Sequence, residues 1–71
     1  MKIAGIIADN YKLPMFEKEL KTAGLIKYKI LPFGGDTSKI MVELNEKIMD
    51  AELLVIKIIC EKVEWFYKKR N

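Results

Sequence analysis

The sequence contains no histidine and one cysteine, and only two prolines and four glycines among 71 residues. Without histidine, no Ser-His or Cys-His nucleophile can be assembled. A zinc site of the usual kind would lack imidazoles and a second thiolate. The lone thiol, Cys60, excludes an internal disulfide. Charge of one sign is scarce as well: 13 basic and 10 acidic side chains leave a net +3, mixed along the chain. That balance gives no broad cationic footprint for nucleic acid or a membrane surface. No apolar run approaches the roughly 18 residues of a membrane span, and the run at residues 53–60 is broken by Lys57. Residues 1–8 are interrupted by Asp9 too soon for a secretory leader. The expectation is a cytoplasmic, non-enzymatic protein with no metal and no cofactor.

What remains is a globular composition, 51% hydrophobic and 32% charged. One domain of this size sits near the limit at which a single core suffices. The usual reinforcements are disulfides, a metal or oligomerisation. With the first two excluded, association with a partner becomes the expected one.

Residues 2–8 are apolar and β-branched, and read as a largely buried strand. Asp9, Asn10, Tyr11 and Lys12 end it, and Pro14 suits the first turn of a helix. That helix runs to about Ala23, with Leu13, Phe16, Leu20 and Ala23 on one side and Gly24 in the C-cap position. Residues 26–33 form a second strand in which Lys27 and Lys29 oppose Tyr28 and Ile30. Gly34, Gly35, Asp36 and Thr37 make a hairpin turn into a third strand, where Ile40, Val42 and Leu44 alternate with Lys39, Met41 and Glu43. Pro32 lacks a ladder donor and belongs near the end of an edge strand.

After Ser38 there is no glycine, proline, serine or threonine, so nothing marks a turn in the C-terminal third. A helix starting at Asn45 or Asp50 and running to Arg70 places Met49, Leu53, Ile56, Ile59, Cys60, Val63, Phe66 and Tyr67 on one apolar face. Leu54, Ile58 and Trp65 fall outside that face, beyond a polar ridge. A competing parse makes residues 38–50 a helix and 53–60 a β-branched strand, giving a three-layer βαβαβα sandwich. The hairpin-length link and the uninterrupted helical stripe favour the first parse.

The order βαββα is that of an α+β, ferredoxin-like fold lacking its fourth strand, with a three-stranded sheet and both helices on one face. The missing strand leaves residues 2–8 at an edge guarded only by Lys2. Leu31, Phe33 and Met41 join lysines on the far face of the sheet. The accessible face of the two inner strands is expected to offer Lys2, Ala4 and Ile6 or Lys39, Met41 and Glu43, without a pair of aromatic platforms for bases. Nucleic-acid binding is therefore the third-ranked reading.

The run from Ala8 through Asp9, Asn10, Tyr11, Pro14 and Phe16 to Leu20, closing at Gly24, resembles small ferredoxin-like bacterial or phage proteins of unassigned activity. The resemblance implies a βαββα fold and a small intracellular protein, and implies no reaction. Two sets of residues are candidates for function. Leu54, Ile58 and Trp65 are the expected interface of a self-associating interaction or assembly module, a homodimer, joined there or through the open strand edge. Asp9, Asn10 and Tyr11, at the carboxyl end of the first strand, are the expected ligand contacts if the chain is instead a small-molecule sensor, resembling regulatory ligand-binding ferredoxin-like domains. Cys60 reads as a buried, inert thiol, and Gly34 and Gly35 as turn residues rather than an anion nest.

Overall fold

In the computed structural model, residues 2–70 are described, with side chains described as far as Lys68. The elements are β1 (Lys2–Asp9), a single 3-10 turn (Asn10–Lys12), α1 (Leu13–Thr22), β2 (Tyr28–Gly34), β3 (Thr37–Leu44), a second 3-10 turn (Glu46–Ile48) and α2 (Met49–Arg70). The fold is α+β. Three strands form an open antiparallel sheet in the order β1-β3-β2. The parse with a strand at 53–60 is excluded, because those residues lie in the middle of α2.

Local chemistry explains each boundary. Pro14 lies in the first turn of α1, where its missing N–H costs nothing. At the other end Gly24 takes φ +84°. Its N–H bonds to the Lys21 carbonyl at 3.1 Å, and that of Leu25 to the Leu20 carbonyl at 2.8 Å. This is a Schellman motif, and its apolar closing contact comes from Leu25, which is buried. Ala23, expected in the core, is instead the exposed C-cap. The β2–β3 hairpin turns on Gly34 and Gly35, both at positive φ, with the Thr37 hydroxyl donating to the Gly34 carbonyl at 2.6 Å. The ladder shifts register between Pro32 and Gly34, where proline has no N–H to give. β2 begins two residues later than its apolar pattern suggests. Ile26 is exposed, yet the Lys27 carbonyl already accepts from the Glu43 N–H at 2.9 Å.

Asn45 is an N-cap, but of the second 3-10 turn; α2 itself starts at Met49, between the two expected starts. The Asn45 side chain accepts from the Lys47 N–H at 3.0 Å, and its own N–H donates to Glu52 Oε1 at 2.6 Å. Two orphan donors are thus satisfied reciprocally.

The core is one cluster. Ile6, Ala8, Ile40, Val42 and Leu44 from the sheet meet Phe16 and Leu20 from α1 and Ile56, Ile59 and Val63 from α2. Both helices therefore cover the same side of the sheet. The molecule measures 39 × 25 × 15 Å, and the short dimension matches one helix layer on one sheet layer. Among the described residues nothing covers the other side. This corrects two expectations about β1. It is not largely buried, since Ile3 and Ile7 are about half exposed while Ile6 and Ala8 are buried. The residues it presents on the open face are Ile3, Gly5 and Ile7, not Lys2, Ala4 and Ile6; pairing of Ile6 with the fully buried Ile40 fixes the parity.

Candidate functional site

The C-terminal end of β1 runs into the first 3-10 turn, which brings Asp9, Asn10 and Tyr11 close to the last turns of α2. Asn10 is exposed but tied to the β2–β3 hairpin. Its N–H donates to the Asp36 carbonyl at 2.7 Å, and its side-chain oxygen accepts from the Ser38 hydroxyl. Tyr11 lies edge-on against Tyr67, with ring centroids 5.2 Å apart. The Tyr67 hydroxyl donates to the Tyr11 carbonyl at 3.2 Å. Lys12 places its ammonium 5.6 Å and 5.9 Å from these two rings and 3.7 Å from Asp9 Oδ2. This cluster pins the end of α2 to the strand that begins the chain.

Beside it lies a cleft of about 270 Å³ between β1 and α2, lined in part by Asp9, Lys12, Thr37, Cys60 and Glu64. Of the three expected ligand residues only Asp9 reaches it. Lys12, Thr37 and Glu64 complete its polar lining, and they could not be found from sequence spacing because they come from three separate elements. Burial, then the nearby charges of Glu64 and Glu61, push the Cys60 thiol up from its ordinary value. It is held protonated, which is the state of an unreactive cysteine. Among the described residues no group of three or more acidic or cysteine side chains is placed to hold a metal ion.

The second candidate set lies on α2. At about 100° per residue, Ile56, Ile59 and Val63 point into the core, and Leu54, Ile58 and Trp65 point directly away from it. These three are 58%, 54% and 61% exposed. Lys57 and Glu64 flank the stripe on one side and Val55 and Lys62 on the other, while Glu61 interrupts it. Lys62 reaches back to Glu19 of α1 at 2.9 Å. Leu53 departs from expectation. It belongs by spacing to the buried face but is 41% exposed, because it lies toward the open edge of β1, where no further strand covers it.

Among the described residues no helix is long and apolar enough to cross a membrane. Comparison of the chain with protein-family models, with curated proteins and with solved structures finds no match.

Proposed function

We propose that this chain is a non-enzymatic interaction or assembly module of ferredoxin-like type, without the fourth strand, that pairs with a second copy through the outer face of α2. The observation carrying this reading is the stripe of Leu54, Ile58 and Trp65 on the side of α2 opposite the core. Isolated apolar residues on a surface need no explanation, but three large ones in line at helical spacing form a seam.

The area of the chain supports the same reading. A compact monomer of 8.3 kDa is expected to expose about 4,600 Å², and this one exposes 5239 Å². The excess, on the order of 650 Å², approaches the roughly 800 Å² each partner contributes to an interface of standard size. An antiparallel second copy would set Leu54 against Trp65 of the other helix and Lys57 near its Glu64. The arrangement is self-complementary in both shape and charge. The open edge of β1 is a second surface through which copies could join. Sedimentation across a micromolar concentration series tests the proposal, with Trp65→Ala and Ile58→Glu expected to weaken association far more than folding.

A small-molecule-binding role is the alternative, and the cleft beside Asp9 is the observation that favours it. A thermal-shift screen with amino acids and nucleotides tests it. A rise in melting temperature that Asp9→Asn abolishes would favour this reading over assembly.

A further inference from the structure

The face of the sheet opposite the helices carries Ile3, Ile7 and Leu31 about half exposed, with Met41 between them, and exposed Phe33 stands at the bulge beside it. A trough of about 510 Å³ crosses it, lined in part by Ile3, Leu31 and Met41 together with Lys27, Lys29 and Glu43. Lys39 lies across the same face. A Cβ built on Gly5 would stand 3.0 Å from the Lys39 Cε, so the lysine stem occupies the space glycine leaves on β1. Three ammonium groups therefore rim an aliphatic platform that carries one carboxylate.

We infer that this face is a docking surface for an acidic amphipathic helix of another protein. Charge decides the occupant. A second copy set face to face would press the lysines of one sheet against those of the other, which is unfavourable. Single-stranded nucleic acid would match the charge but needs aromatic platforms for its bases. Tyr28 also lines the trough, but its hydroxyl is tied to Glu17 of α1 at 3.0 Å on the helix side. Phe33 stands at the bulge end of β2, and the rest of the surface is aliphatic. A helix with an apolar stripe and glutamate flanks satisfies both halves of the surface. Three strands at about 4.8 Å spacing make a platform roughly 10 Å wide, the width of one helix. The extended stretch from Lys27 to Phe33, about 20 Å long, accommodates roughly 13 helical residues.

The test uses the full chain and a fluorescently labelled amphipathic peptide of leucine and glutamate, read by anisotropy at low ionic strength. Binding is expected, and the paired reversal Lys29→Glu with Lys39→Glu should weaken it about tenfold or more, as should Leu31→Asp. Phe33→Ser serves as a second probe should Leu31→Asp lower the melting temperature. A leucine–lysine peptide and oligouridine should not compete. Trp65→Ala, which acts on α2, should leave peptide binding unchanged, which separates this surface from the assembly seam. No binding, equal binding of the lysine peptide, or displacement by oligouridine would each overturn the inference. So would a loss of self-association on Leu31→Asp, which would mean that a second copy occupies the face.

Discussion

At the scale of single residues, the side chains that decide the fold are few and their roles are separable. Gly24 holds a left-handed conformation with open space around its α-carbon. Replacing it with alanine meets no clash but forces a side chain into strained backbone. Gly24→Ala should cost about 1 kcal/mol in urea unfolding, and asparagine should cost less. Leu20 is fully buried between the helices, so Leu20→Ala should cost about 2–5 kcal/mol, much of what a domain this small has. Cys60 and Tyr28 supply a pH dependence of definite sign. Burial raises both groups, with Glu64 and Glu61 adding to it at Cys60 and the hydrogen bond to Glu17 at Tyr28. The folded chain therefore binds more protons than the unfolded one at alkaline pH. Stability from these groups is present below their unfolded values and falls as pH rises through the folded ones. Urea midpoints should decline from about pH 8.5 upward, and Cys60→Ser with Tyr28→Phe should flatten the decline. Asn10 was a candidate ligand contact in sequence because asparagine after a strand fits either role. Its use as a brace became visible only with Asp36 and Ser38, distant in sequence, beside it.

At the scale of elements, punctuation was what made the chain legible. Pro14 and Gly24 bracket α1, Gly34 and Gly35 fix the hairpin, and Asn45 caps the approach to α2. The absence of glycine, proline, serine and threonine after Ser38 correctly favoured one long helix over a strand at 53–60, although valine and isoleucine there prefer strands. What sequence could not supply was burial set by neighbours that are missing. Leu53 and Ile3 look like core residues and are left half covered, Leu53 because it lies toward the open edge of β1 and Ile3 because it is on the sheet face opposite the helices. Leu25 looks like loop and is buried, because the Schellman turn folds it back under α1. The same reasoning yields a prediction on the outer face of α2. Glu61 interrupts the stripe between Ile58 and Trp65, so Glu61→Leu should tighten self-association about tenfold, read as a lower dimer dissociation constant. Were the seam elsewhere, this substitution would leave the constant unchanged.

At the scale of the whole molecule, the chain is two layers thick with surfaces left over. The helices cover one side of the sheet; the other side, the edge of β1 and the outer face of α2 remain open. Composition leads to the expectation of a partner, because oligomerisation is the reinforcement that a small chain with one cysteine and no histidine has left. The fold leaves two exposed surfaces of different character. The α2 stripe is flanked by charges of both signs and, on the reading proposed above, suits a second copy, whereas the sheet face is cationic and suits an acidic helix of another protein. The measurement that tests the central claim most directly is sedimentation equilibrium of the chain and of Ile58→Glu from low to high micromolar concentration. The account predicts a concentration-dependent dimer that Ile58→Glu returns to the 8.3 kDa monomer at an unchanged melting temperature. A monomer throughout the range, or a dimer indifferent to Ile58→Glu, would contradict it.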